Sequence, residues 1–187
     1  AIRFVPGESL LIHAGAGGLG SQFAQVSRAL GAGRIDAVVG TDAKREIALG
    51  FGYEHSYLRD DLSAIPGDTY DIVIDPVGGE ATADAFRVLR SGGRLVRVGN
   101  ASQAADVAVN STQHWLQNKT TAGFNVGAWL AAHPEEGTES LRWSLDAVAN
   151  GAIRVDLTDV ANIIDAARLL EALETVQTTG KVALRVR

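Results

Sequence analysis

Apolar positions follow two alternating rhythms along this chain. Short continuous apolar runs at Ser9–His13 (SLLIH), Arg34–Val39 (RIDAVV) and Tyr70–Asp75 (YDIVID) read as strands buried on both faces. Between them Leu19, Phe23, Val26, Ala29 and Leu30 recur at helical spacing, which predicts a helix over 18–30. A second helix is predicted over DAKREIALGFG, with Asp42 as its cap and Gly50 and Gly52 to end it. A third is predicted over EATADAFRVLRSGG, stopped by Gly92 and Gly93 and followed by the strand RLVRVGN. Strands alternating with helices of this length imply right-handed crossovers and a parallel sheet covered on both faces. The expected fold class is therefore α/β, a doubly wound parallel Rossmann sheet.

Beyond Asn100 the rhythm loosens. STQHWLQNK predicts a short helix, TTAGFNV (120–126) an edge strand, and 138–149 a helix closed by Asn150 and Gly151. After these come a strand IRVDL, a helix around IIDAARLLEALETV, a turn at TTGK and a terminal strand VALRV. The expected organisation is a dinucleotide-binding domain over 1–150 and a strand-helix-strand segment over 151–187.

Composition narrows the partners. A formal net charge of −5 over 187 residues offers no broad positive field for a nucleic-acid backbone or an anionic membrane. No apolar run approaches the ~20 residues that span a bilayer, so the expectation is a soluble, cytoplasmic chain with a small-molecule substrate. Zero cysteines exclude disulfides, thiolate catalysis and cysteine-ligated zinc within these residues. The absence of methionine, even at position 1, leads us to expect a piece of a longer protein.

The chemistry concentrates in HAGAGGLG. Gly15, Gly17 and Gly20 form GxGxxG directly after the first strand and at the mouth of the first helix. There the first glycine permits a tight turn, the second lets a pyrophosphate approach the backbone, and the third lets helix and strand pack closely. Unsatisfied amides and the positive end of the helix then face the anion. A structural turn, or S-adenosylmethionine bound by a similar loop, is the competing reading; the latter lacks the acid its ribose usually needs. At the end of the second strand the sequence is VVGTDAKRE, with Gly40 in the slot where an NAD site usually places Asp or Glu. A 2′-phosphate wants a hydroxyl and a cation, which Thr41 and Lys44 supply, with Arg45 in reserve. Alternatively Asp42 is the ribose acid, and Lys44 and Arg45 are a solvated helix face.

LIHAGAGGLGSQFAQVSRALGA, VGTDAKREIALGFGYEHSYLRDD, YDIVIDPVGG, GGRLVRVGN, NKTTAGFNVGAWL and ALETVQTTGKVALRV together resemble the zinc-independent quinone oxidoreductase and enoyl reductase branch of medium-chain dehydrogenases/reductases. The resemblance covers nearly the whole chain. It implies an N-terminal GroES-like catalytic domain that this sequence lacks, an NADP(H) cofactor, and hydride delivery to a quinone, enone or enoyl thioester. It further implies that Ala16, Gly17, Gly18 and Leu19 line the pyrophosphate, and that Gly40, Thr41, Lys44 and Tyr57 surround the adenosine phosphate. Val77, Gly78, Gly99 and Asn100 would sit by the nicotinamide ribose, and Phe124 and Val126 would flank the nicotinamide. The family pattern has alanine at the position of Gly15 and often valine at that of Leu19. A homodimer joined through edge strand 120–126 is also implied, and the segments IRVDL and KVALRVR, beside a catalytic domain in the family, are expected to pair with each other or with a second copy.

Each residue has a plainer reading. Tyr57 also fits a half-buried strand aromatic, Asp75 a turn residue and His13 a core histidine. His55, His114 and His133 lie apart with no paired carboxylate at ligand spacing, so no metal is expected. Trp115, Trp129 and Trp143 read as core or interface cover. No catalytic acid is assigned. The functional alternative is a nucleotide-binding or sensing module without turnover.

Overall fold

A computed structural model of the chain describes residues 3–186. Six strands, β1 (Ser9–His13), β2 (Arg34–Val39), β3 (His55–Leu58), β4 (Tyr70–Asp75), β5 (Leu89–Arg97) and β6 (Thr120–Gly123), form one sheet in the order β3-β2-β1-β4-β5-β6. Every neighbouring pair is parallel, as the doubly wound reading requires. The strand order reverses between β1 and β4, which opens a crevice at the carboxyl ends of the strands.

Alternation along the strands divides the core. Leu10, Ile12, Ile35, Ala37, Ile72 and Ile74 face α1 (Gly20–Ala29) and α2 (Asp42–Gly50), meeting Ala24 and Ala48. Leu11, Val38 and Val73 point the other way, onto Ala85 and Phe86 of α3 (Glu80–Val88) and Leu62 of a 3₁₀ turn at 59–64.

Several boundaries differ from the sequence reading. The first helix starts at Gly20 rather than residue 18, because Gly17 N donates to Ala14 O at 2.9 Å and folds 14–19 into a turn. The cap of α2 is Thr41, whose hydroxyl accepts from Lys44 N at 3.4 Å; Asp42 is already inside the helix, paired with Arg45. The third helix ends at Val88, ahead of the glycines, because Leu89 already pairs with Tyr70 in the sheet. Gly92, at φ +76°, serves the bulge that follows.

Past β5, α4 (Ser111–Gln117) lies where expected, and β6 covers only the first part of the edge strand expected over 120–126, ending at Gly123 because Asn125 caps a helix that starts at Val126. The chain then forms an unanticipated α5 (Val126–Ala132), capped by Asn125, which accepts from Ala128 N at 3.0 Å. The next helix, α6 (Pro134–Ala149), begins at Pro134, a residue suited to a first helical turn. The strand expected at 153–157 is displaced to β7 (Leu157–Asn162). Its intended backbone is bonded to α1 instead: Gln22 and Gln25 donate to Arg154 O at 3.2 and 3.0 Å, and Arg154 N donates to Gln25 Oε1 at 2.7 Å. After α7 (Ala166–Glu174), β8 (Lys181–Arg185) pairs with β7 in parallel; of the expected segment IRVDL only Leu157 lies in that ladder, so KVALRVR pairs mainly with the residues that follow it. Among the described residues no helix is long and apolar enough to cross a membrane.

Candidate functional site

The glycine loop lies at the switch point. A Cβ at Gly20 would meet Ala14 O at 2.5 Å and Gly15 Cα at 2.6 Å, so only glycine lets α1 approach β1 this closely. Tyr53, buried against the loop, locks the contact by donating its hydroxyl to Gly20 O at 2.7 Å. The Gly17 amide is consumed by the turn, and Ser21 N and Phe23 N bond back to Gly17 O and Leu19 O. Among the described residues the amides of Gly18 and Leu19 donate to no protein acceptor. They stand at the positive end of α1, an arrangement that favours an anion. Ala16 is buried, and its carbonyl accepts from Gly180 N at 2.9 Å.

A second positive region forms at the end of β2. The β2–β3 register sets Val39 beside Leu58, which brings Arg59 level with Gly40. A Cβ at residue 40 would meet Arg59 Nη2 at 2.8 Å. The guanidinium thus lies against the position where a ribose-binding acid would stand, and among the described residues it has no hydrogen-bond or ion-pair partner. Lys44 is close enough that burial first, and the Arg59 charge second, hold its ammonium below the ordinary lysine value. Among the described residues its one hydrogen bond is to Val176 O, at 2.6 Å. Thr41 spends an oxygen lone pair on the helix cap and keeps its hydroxyl proton. Arg45 is occupied, donating to Ser56 O at 3.1 Å and pairing with Asp42.

The Tyr57 hydroxyl accepts from Arg34 Nη2 at 3.2 Å, and its ring packs against the core. Arg59, two residues on, lies against Gly40. The sequence signal for Arg59 was only its position after a strand, and it needed the sheet register to acquire meaning.

The remaining candidates converge at the carboxyl ends of β4, β5 and β6. Asp75, wholly buried, accepts from Val77 N at 2.8 Å, Gly78 N at 3.0 Å and Thr82 Oγ1 at 2.6 Å, which makes it the organiser of the turn into α3. Gly99 lies against Pro76 O, where a Cβ would come within 2.9 Å, and Gly78 lies against the Asn100 side chain. Arg97 joins the two loops, donating to Gly99 O at 3.1 Å, Asn100 Oδ1 at 3.3 Å and Thr82 Oγ1 at 3.3 Å. Phe124 follows directly, its amide donating to Arg97 O at 2.9 Å and its ring half-buried against the core. Val126 opens α5 and is exposed. Val77, Gly78, Gly99, Asn100 and Phe124 therefore share one edge of the crevice.

His13 closes β1 beneath this edge. It is buried, and its Nε2 has no partner. Burial pushes its pKa below the ordinary histidine value, against the pull of Asp75 and Asp84 and with the help of Arg59.

The chain superposes on Escherichia coli quinone oxidoreductase complexed with NADPH with a TM-score of 0.83 and 27% identity, over 96% of this chain and 57% of that one. It superposes on a probable oxidoreductase from Mycobacterium abscessus with a TM-score of 0.81 and 27% identity, over 97% of this chain and 55% of that one. Among curated proteins it is 27% identical to the phthioceranic/hydroxyphthioceranic acid synthase of Mycobacterium tuberculosis, over 98% of this chain and 9% of that protein. The chain thus spans little more than half of these solved relatives and about a tenth of the synthase. The family described as zinc-binding dehydrogenase matches residues 18–146, from the glycine loop to the last turns of α6. By that match the chain belongs to the zinc-binding dehydrogenase family.

Proposed function

We propose that this chain is the NADPH-binding part of an oxidoreductase that reduces a quinone, an enone or an enoyl thioester. Residues 1–150 form the dinucleotide domain in this reading and 151–187 a segment laid against it. The observation that carries the proposal is the pair of unneutralised cations, Arg59 and Lys44, around the bare Cα of Gly40. An NAD site would place a carboxylate there; two cations suit a 2′-phosphate. NADPH bound in a structural relative supports the same choice.

The nicotinamide would supply the hydride, and the protein supplies position and exclusion of water. Gly18 and Leu19 offer amides to the pyrophosphate, and Arg59, Lys44 and Thr41 hold the 2′-phosphate. Val77, Gly78, Gly99 and Asn100 set the nicotinamide ribose, with Phe124 and Val126 beside the ring. The metal in the family's name does not fit these residues: there are no cysteines, and among the described residues no group of three His, Asp or Glu could hold an ion. No step is therefore routed through zinc.

Calorimetric titration tests the reading. NADPH should bind well ahead of NADH and of S-adenosylmethionine, and Lys44→Ala should remove most of the preference. Equal affinity for NADPH and NADH in the unaltered protein would refute the 2′-phosphate assignment. The free edge of β6 further supports a homodimer through 120–126. Sedimentation at micromolar concentration should then give twice the chain mass, and a monomer would count against it.

A further inference from the structure

Residues 99–106 follow β5 with neither helix nor strand, and every one of them is exposed. No apolar side chain is buried there to hold the segment in place, yet it carries Gly99 and Asn100. Polar contacts do the holding. Ala101 N donates to Pro76 O at 2.9 Å, and Ser102 N and Oγ both donate to Val77 O, at 3.0 and 2.8 Å. The segment thus lies folded over the turn that leads from β4 into α3. The two glycines of that turn make room for it: a Cβ at Gly79 would meet Ala104 Cβ at 2.8 Å, and one at Gly78 would strike Asn100 Oδ1 and come within 2.8 Å of Arg97 Nη2.

Arg97, the last residue of β5 and largely buried, stands where these pieces meet. Its three acceptors, Gly99 O, Asn100 Oδ1 and Thr82 Oγ1, come from the segment and from α3. A planar guanidinium can serve all three at once because its five N–H groups leave a rigid fork in fixed directions. Its charge is balanced on either side, by Asp75 at 3.8 Å and Asp106 at 3.6 Å. What Arg97 gives this edge is therefore geometry rather than net charge.

We propose that Arg97 is the positioning residue of the nicotinamide half of the site. It holds 99–106 down on the β4 turn and, through Gly99 and Asn100, sets the surface that the nicotinamide ribose meets. The inference rests on the dinucleotide reading above. It assigns Arg97 to one half of the cofactor only, since the adenosine 2′-phosphate lies with Arg59 and Lys44 at the end of β2.

Titrating the full chain with NADPH and with 2′,5′-ADP, which keeps the 2′-phosphate but has no nicotinamide half, tests this. Arg97→Ala should weaken NADPH roughly tenfold and leave 2′,5′-ADP within about twofold. The emission of bound NADPH should move toward that of the free cofactor. Arg97→Lys should restore only part of the affinity, because an ammonium lacks the fork. Circular dichroism melting checks folding. Ser102→Ala loosens the same segment at an exposed position and should give the same selective loss in smaller measure; should Arg97→Ala not fold, its result decides on the same criteria. Equal losses for the two ligands, or an unchanged NADPH affinity, would overturn the positioning role while leaving the dinucleotide reading intact, as would an unaltered chain that binds NADPH no more tightly than 2′,5′-ADP. If the unaltered chain binds neither, the dinucleotide reading fails and this inference with it.

Discussion

The two edges of the sheet treat their polar groups in opposite ways. At the amino edge charges are matched within the chain. Asp36, fully buried on β2, accepts from Arg34 Nε at 2.7 Å, Tyr70 Oη at 2.6 Å and His55 N at 3.1 Å, with His55 Nδ1 at 3.2 Å. Asp71 takes Ser9 N at 2.9 Å and its hydroxyl at 2.7 Å and pairs with Arg90, while Glu8 pairs with Arg94. Among the described residues, the buried Arg94 Nε and one Asp71 oxygen lack a hydrogen bond there, as does Ser56 Oγ on β3. At the carboxyl edge, among the described residues, Arg59 and Lys181 pair with no carboxylate, Lys44 finds only a carbonyl, the Gly18 and Leu19 amides donate to no acceptor, and the buried His13 Nε2 is unpartnered. Buried polar groups are normally satisfied. The open donors are those that the proposed dinucleotide would meet, and the edge that closes its own bonds holds the fold.

The largest effect should come from breaking the closed edge. Asp36→Ala strands the Tyr70 hydroxyl, which burial and the Asp36 bond hold far above its ordinary pKa, and removes the partner of the Arg34 guanidinium. Leaving such a cluster unpaired costs about 3 kcal/mol or more, read as a lower denaturant midpoint. The ratio of NADPH to NADH affinity in the folded fraction should not move. A stability loss under about 0.5 kcal/mol would show that the amino edge is not where the fold is held.

A smaller and opposite effect is expected from Arg59→Ala. With no partner in the protein, Arg59 should cost almost nothing in stability when removed, within about 0.5 kcal/mol. NADPH affinity should nevertheless fall roughly tenfold, with NADH affinity unchanged. If the variant melts much earlier and binds NADPH as before, the contrast between the edges collapses.

The contrast also explains what was legible in the sequence. The fold was, because strands buried on both faces announce themselves as continuous apolar runs and because GxGxxG fixes one strand-to-helix junction. Local chemistry was read less well: Thr41, not Asp42, caps α2, since either residue can cap and only the backbone decides. Contacts distant in sequence were not legible at all. Arg59 gains its place beside Gly40 from the parallel register with β2, the Tyr57 hydroxyl meets Arg34, and Gly18 meets a segment near the far end of the chain, at Gly180 and Lys181. The strand predicted at 153–157 failed for the same reason, as glutamines of α1 claim its backbone.

The smallest expected effect is a pH dependence seated at the open edge. His13 titrates below its ordinary value of 6.5 because burial disfavours its charged form, and Asp75 and Asp84 only partly offset this. Between that lowered pKa and 6.5 the unfolded chain holds more protons than the folded one, so stability falls as pH drops through this window and levels off below it. The slope approaches about 1.4 kcal/mol per pH unit at most. His13→Leu removes the titrating group, so the difference in unfolding free energy between wild type and variant should be constant above pH ~7 and should shift in the variant's favour on acidification. Parallel stability profiles from pH ~5 to ~8 would mean that His13 finds a compensating partner at the carboxyl edge.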